Sequence, residues 1–246
     1  MPSPHGRVLD IGMHIGQDTA FYLAKGFDVT AVEADPKLVE RANERFASEV
    51  AAGRLEIIHA AVAETAGEVR FFLSRGDALY NTLYPERLGS DDSVMECVTV
   101  PAITPDALLE RVGPLRYLKI DIEGADAFVL EALIHRSDLR PPYVSAEVDG
   151  PETGALLYAA GYRGFKLVNQ ARFKRWRLPD QPLEGDRAEF EFELHSSGPF
   201  GLETPGGPWV PFKAWIRQWE AVSRLSSLNS EIFEAWFDVH ARFDAP

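Results

Sequence analysis

Within its first 62 residues the chain switches hydrophobic period four times, and that alternation limits the folds open to it. "RVLDI" (7–11) is a short apolar run with β-branched residues, and "DTAFYLAKG" (18–26) changes to helical spacing before ending on a glycine suited to a left-handed C-cap. "FDVTAVEAD" (27–35) returns to a strand. "DPKLVERANERFASEVAAG" (35–53) reads as one helix, with Asp35 as N-cap, Pro36 opening the first turn, and Leu38, Ala42, Phe46 and Val50 on the buried face. "RLEIIHAAV" (54–62) supplies a third strand. Strands connected through helices close by right-handed crossovers, so a β-α-β-α-β start predicts a parallel sheet and an α/β protein.

The same rhythm resumes after an interruption. Residues 64–114 hold two further strands, "GEVRFFLS" (67–74) and "MECVTVPAI" (95–103), around a long polar loop, and read as an insertion. Strand "RYLKIDI" (116–122), helix "ADAFVLEALIHR" (125–136), strand "PYVSAEV" (142–148) and helix "PETGALLYAAGY" (151–162) follow. Candidate strands at 164–170 and 188–196 add an antiparallel edge. Beyond a Gly/Pro-rich loop, two tryptophan-bearing helices, "FKAWIRQWEAVSRL" and "SEIFEAWFDVHARF", are expected to close the chain. With 246 residues, 46% of them hydrophobic, one core is within reach. A single domain over 1–246 is expected, with its core in 7–196, the insertion in 64–114 and a C-terminal loop and helices in 197–246.

In an open parallel sheet, ligands gather at the carboxyl ends of the strands, first of all at the opening β-α turn. Here that turn is "VLDIGMHIGQDT" (8–19). Gly12 and Gly16 let backbone approach a ligand closely, and the unpaired N–H groups that open the helix near Gln17 and Asp18 attract a carboxylate or phosphate. A dinucleotide fingerprint starting at Gly12 would need glycine at 14 and 17, where His14 and Gln17 stand, which weakens an NAD-dependent oxidoreductase reading. The pattern present is D-x-G-x-x-x-G from Asp10, similar to the cofactor loop of S-adenosylmethionine-dependent methyltransferases. Glu33, 21 positions after Gly12 at the end of the second strand, can accept hydrogen bonds from both ribose hydroxyls.

"LDIGMHIGQDT", "VEADP", the insertion with "GEVRFF", and above all "YLKIDIEGADAFVLEAL" (117–133) followed by "PPYVSAEV" resemble the FkbM family of methyltransferases in order and spacing, from about Val8 to Gly164. The middle of the first loop commonly carries Asn in that family; here it is His14. The resemblance implies a class I methyltransferase fold with a Rossmann-like, mostly parallel sheet, S-adenosylmethionine as cofactor, and methyl transfer to a hydroxyl of a sugar, polyketide or similar small molecule. On that reading Asp10, Gly12, His14, Gly16, Asp18, Thr19, Glu33, Ala34, Ala61 and Asp121 are the candidate cofactor contacts, with Asp10 placed to receive the ammonium group.

The second motif carries chemistry of its own. Lys119, Asp121 and Glu123 share one strand face by alternation, and Glu147, near the end of the next strand, can point into the same crevice. An alcohol acceptor must lose a proton, so Asp121, Glu123 and Glu147 are the candidate catalytic residues, Asp121 either as base or as holder of the cofactor ammonium. Glu123 can equally cap the following helix. The three carboxylates could together hold Mg²⁺, but that ranks as the lesser reading and no metal is expected. The insertion around "ALYNTLYPE" (78–86) is expected to cover the acceptor through Tyr80, Asn81, Thr82 and Tyr84, with the "SSGPFGLETPGGPW" loop (196–209) as the other candidate lid. His195, His240 and the basic-aromatic "ARFKRWR" (171–177) read first as surface, packing or hairpin residues. A binding protein without catalysis, acting as a sensor or assembly partner, is the alternative function.

Charge and composition bear on partners and compartment. A net charge of −13 opposes a polyanion at long range and disfavours nucleic acid. A single cysteine, Cys97, forms no intramolecular disulfide and fits a cytoplasmic setting. No apolar run approaches the length of a membrane span, and "MPSPHGRV" lacks the basic and apolar regions of a secretory leader.

Overall fold

The computed structural model describes residues 2–75, 81–88, 95–148, 150–193, 196–228 and 237–243. Strand β1 (Arg7–Ile11) leads into helix α1 (Gln17–Ala24), followed by β2 (Asp28–Glu33), α2 (Pro36–Arg45), α3 (Ala47–Ala51) and β3 (Leu55–His59). The helix expected over 35–53 is broken at Phe46, whose buried ring sits between α2 and α3. Asp35 caps α2 as expected, its side chain accepting from the Lys37 N–H at 2.8 Å. Leu38 and Ala42 are buried, whereas Val50 is 38% exposed because the break turns α3 away from the core.

The third predicted strand also divides. After β3 the chain leaves the main sheet, and β4 (Ala61–Val62) joins β5 (Gly67–Ser74) and β6 (Met95–Ile103) in a separate three-stranded sheet of order β4-β6-β5. Helix α4 (Pro105–Val112), capped by the Thr104 hydroxyl, brings the chain back. Strand β7 (Tyr117–Ile120), α5 (Asp126–His135), β8 (Tyr143–Glu147), α6 (Pro151–Ala159), β9 (Gly164–Asn169), α7 (Phe212–Leu228) and β10 (Phe237–Arg242) complete the described elements.

The main sheet has the order β3-β2-β1-β7-β8-β10-β9, parallel throughout except for β10, which runs antiparallel to both neighbours. It is the Rossmann-like, mostly parallel sheet expected from the sequence, with the antiparallel strand one place in from the edge. Strand order reverses between β1 and β7, which opens a crevice at their carboxyl ends. Successive residues feed opposite faces. Leu9, Ile11, Leu118 and Ile120 pack against α5 residues Val129 and Leu133, while Val8, Val29 and Ala31 pack with Phe21, Tyr22, Phe27 and Phe200 on the other side.

The C-terminal third departs from expectation in three places. Residues 237–242, expected in a helix, form β10, and Val239, Ala241, Asp238 and His240 are all buried. A strand buried on both faces loses the alternation that would announce it. The strand expected at 188–196 is absent from its described residues; Phe190 and Phe192 instead pack their rings on Phe21, with centroids 5.3 and 5.0 Å away. "ARFKRWR" begins in a 3₁₀ turn (Gln170–Arg175) rather than a hairpin. The 196–204 segment is no lid: Phe200 is buried and stacks on Tyr117 at 4.2 Å, and the buried pair Lys25–Glu203 (3.0 Å) ties the segment to the end of α1. Trp215 is fully buried against Gly154 of α6, as a core tryptophan. Among the described residues no helix is long and apolar enough to cross a membrane.

Candidate active site

At the carboxyl ends of β1, β2 and β7 lies a cavity with about 670 Å³ of empty space. Gly12, His14, Glu33, Ala34, Ala61 and Asp121 line it, which brings together six of the ten expected cofactor contacts. Its other walls are mostly apolar, including Val32, Leu38, Val62, Phe71 and Leu83. Glycine is required at 12 on two counts. Its φ is +84°, and a Cβ there would collide with the Asp121 backbone carbonyl, so the two strand ends meet only because the side chain is absent. His14 also has a left-handed φ of 52°, a conformation that Asn adopts more readily than most residues.

Glu33 is held by its own loop. Its Oε2 accepts the His14 N–H at 2.8 Å, and its Oε1 accepts those of Ala34 and Asp35 at 2.9 Å each. Burial pushes its carboxyl up to about 7, against the opposing pull of these three N–H donors. A carboxylate offers about four lone-pair sites, so one remains after three bonds and others can be shared.

The remaining expected cofactor residues lie outside the cavity wall. Asp10 is fully buried, accepting from the Thr19 hydroxyl at 2.7 Å and paired with Lys119 at 3.2 Å. Asp18 is buried and accepts the N–H groups of Ser197 and Gly198, and burial raises it to about 6. Gly16 has a left-handed φ and abuts Phe46 and Met13. Lys119 links the two motifs, donating to the Gly12 carbonyl at 2.8 Å and pairing with Asp121 at 3.5 Å. Burial opposes its charge, but Asp10, Asp121 and Asp18 outweigh that and hold it well above the ordinary lysine range.

The candidate catalytic acids converge. One carboxylate oxygen from each of Asp121, Glu123 and Glu147 lies within 4.8 Å of the others. Glu123 sits in a left-handed turn (φ 40°) followed by Gly124, and its carbonyl accepts the Thr82 hydroxyl at 2.7 Å. Burial and then the charges of Asp121, Glu123 and Asp238 push Glu147 up to about 10. Asp238, which the sequence reading assigned to a helix, sits opposite Glu147 on β10, and burial followed by Asp121 raises it to about 8. A second cavity, with about 590 Å³ of empty space, opens between α5 and α6; Gly124, Asp126, Glu147, Glu152 and Thr153 are among its walls. Asp121 and Glu123 face the first cavity and Glu147 the second, so the acids form the partition between them.

The expected acceptor residues of the insertion are placed as follows. Asn81 lines the first cavity, where its amide donates to Asp35 at 3.0 Å and its carbonyl accepts the Ser74 N–H. Thr82 is 1% exposed and pairs its backbone with Phe72. Tyr84 leans on Phe128. Tyr80 and His195 lie outside the described residues. His240 is buried in the sheet, and burial, then Lys166, lowers it to about 3, which keeps it neutral. The sequence reading missed Phe71 and Leu83; the inward alternation of Phe71 and Leu73 in β5 was the signal available for the first.

A family model described as "Methyltransferase FkbM domain" matches residues 10–163. The chain belongs to this family. It is therefore an S-adenosylmethionine-dependent methyltransferase. No curated protein matches this FkbM methyltransferase. Among solved structures it is similar to an rRNA methylase from Streptococcus thermophilus (12% identity, 99% of this chain and 90% of the other, TM-score 0.40). It is also similar to a precorrin-6y C5,15-methyltransferase from Geobacter metallireducens GS-15 (10%, 97% and 79%, TM-score 0.42). The first cavity fits the cofactor chemically: an apolar slot for a purine, a carboxylate at Glu33 for a diol, and acids at Asp121 and Glu123 for a cationic sulfonium or ammonium group.

Proposed function

We propose that this FkbM methyltransferase acts as a single unit to O-methylate a small polyhydroxylated molecule, with the cofactor in the Gly12–Glu33 cavity and the acceptor in the cavity between α5 and α6. The observation that carries this reading is the partition: acids on the 121–123 turn face one cavity while Glu147 faces the other, and their carboxylates lie within 4.8 Å. When bound, S-adenosylmethionine supplies an electrophilic methyl carbon, whose bond to sulfur breaks, with the electron pair going to sulfur, as the acceptor oxygen attacks.

The chain's own residues position and deprotonate. Glu33 accepts from the ribose hydroxyls, each bond to a charged acceptor being worth roughly 1.5–3 kcal/mol. Asp10, buried behind Lys119, acts through that lysine, which holds the Gly12 carbonyl and Asp121 in place. Asp121, with its side chain 33% exposed, either takes the acceptor proton and passes it to solvent or holds the cofactor ammonium. Thr153, Glu152 and Asp126 offer hydrogen bonds to acceptor hydroxyls, and Leu130 and Leu156 offer an apolar floor.

The test is transfer of a labelled methyl group from S-adenosylmethionine to a panel of sugars and hydroxylated metabolites, run beside calorimetry of the cofactor. Asp121→Asn is expected to cut turnover by about 10²–10⁴ while the protein stays folded. Cofactor binding with no transfer to any hydroxyl compound would favour a sensor or assembly role instead. An Asp121→Asn variant that turns over like the parent would remove Asp121 from both of its roles.

A further inference from the structure

We infer that the partition between the two cavities is a binding site for a hard divalent cation of the Mg²⁺ class, held by Asp121, Glu123 and Glu147 with Asp238 behind them. The three carboxylates alone would not carry this, since acids gather at strand ends in many proteins. The deciding observation is Asp238. It is 2% exposed, its Oδ1 has no hydrogen-bond partner among the described residues, and a side-chain interaction with Gln170 and the charge of Lys119 only partly offset its burial. It pairs directly with Glu147 across β8 and β10, so the two side chains leave the sheet on the same face, toward the acids of the 121–123 turn. A buried carboxylate oxygen left without a donor is costly, and a cation with its bound waters is the partner that would satisfy it.

The dimensions agree. Metal–oxygen distances of about 2.0–2.6 Å put ligand oxygens on opposite sides of an ion about 4–5 Å apart, and the oxygens here span 4.8 Å at most. All the ligands are oxygen, as Mg²⁺ and Mn²⁺ prefer, and three ligands leave positions for water or an acceptor oxygen. Lys119 does not fill the role, because it is engaged with Asp10, Asp121 and the Gly12 carbonyl. The use of the ion, to orient an acceptor hydroxyl at the cavity junction, rests on the proposed function; its binding does not.

The site is tested by titrating the full chain with Mn²⁺ and reading free Mn²⁺ by electron paramagnetic resonance. About one Mn²⁺ per chain, displaced by Mg²⁺, is expected, and Glu147→Gln and Asp238→Asn should each weaken it by about tenfold or more. Glu68→Gln, an exposed acid on β5, is the control for diffuse attraction to a chain of net charge −13 and should change nothing. No binding at millimolar Mn²⁺, or binding that ignores both site variants, overturns the inference. If Glu147→Gln fails to fold, the parent stoichiometry and Asp238→Asn still decide. Calorimetry with S-adenosylmethionine on the same parent separates the two readings: cofactor binding without Mn²⁺ binding overturns the ion alone, and Mn²⁺ binding without cofactor binding overturns the proposed function alone.

Discussion

Glu33 and Glu147 stand at the ends of two strands of one sheet, the first buried and the second half-buried, yet they are prepared for different partners. Glu33 accepts three backbone N–H groups that oppose the cost of its burial, and its carboxyl rises only to about 7. Glu147 has burial and the repulsion of Asp121, Glu123 and Asp238 acting in the same direction, and it rises to about 10. Burial alone therefore does not set how a carboxylate behaves; the sign of the neighbouring dipoles and charges decides. The first acid is satisfied in advance and suits a neutral diol. The second suits a proton or a cation.

The largest effect is expected where the two sides touch. Gly12→Ala would combine a left-handed backbone, costing about 1–2 kcal/mol for a side-chain-bearing residue, with a collision against the Asp121 carbonyl. Because that carbonyl begins the turn bearing Asp121 and Glu123, the variant should lose both cofactor and Mn²⁺ binding, and its melting temperature should fall. Calorimetry showing parent-like cofactor affinity would mean that β1 and β7 can separate without cost to the cavity.

Next comes pH. A carboxyl whose folded pKa is raised above its unfolded value binds its proton more tightly in the folded state; the stability this gives is full below the unfolded pKa and is lost as pH rises through the folded pKa. Glu33 therefore loses its contribution between about pH 4.5 and 7, and Glu147 and Asp238 go on losing theirs up to about 8–10. Without added metal the chain should become less stable as pH rises. Urea denaturation at several pH values should show Glu33→Gln flattening the slope only between about pH 4.5 and 7, and Glu147→Gln flattening it from about pH 4.5 up to about 10, so that above pH 7 only the second variant matters. A single slope altered equally by both variants would break the contrast between the two acids.

The wall of the first cavity was legible because its determinants are local. Gly12, Glu33, Ala34 and Ala61 follow strands whose period is visible within five or six residues, and the Asp35–Pro36 cap marks the next helix without help from the rest of the chain. Asp121, Glu123 and Glu147 could be placed on one side of the sheet by alternation. Asp238 could not. Its strand, one place in from the sheet edge, is flanked on both sides and buried on both faces, so Val239 and His240 are equally hidden, and its partners β8 and β9 lie about 90 and 70 residues earlier. The Gly/Pro segment at 196–204 failed for a related reason: irregular composition suggested an open lid, while Phe200, Asp18 and Lys25 hold it down through contacts about 80 to 180 residues apart in sequence.

The smallest expected effect concerns the insertion. Asn81 was expected to touch the acceptor, but its two amide atoms bridge the end of β5 to the helix cap at Asp35, and the residue lines the first cavity, where the cofactor is proposed to bind. Removing it deletes two hydrogen bonds at the rim, each worth about 0.5–1.5 kcal/mol net, and loosens a wall shared with Leu83 and Phe71. Asn81→Ala should therefore weaken cofactor affinity by roughly three- to tenfold, with the acceptor KM nearly unchanged. Tyr84→Ala, which removes a tilted ring contact with Phe128, should move the cofactor less. Were Asn81→Ala instead to raise the acceptor KM and spare the cofactor, the insertion would belong with Glu147 on the acceptor side of the partition, and the division between the two cavities would have to be redrawn around it.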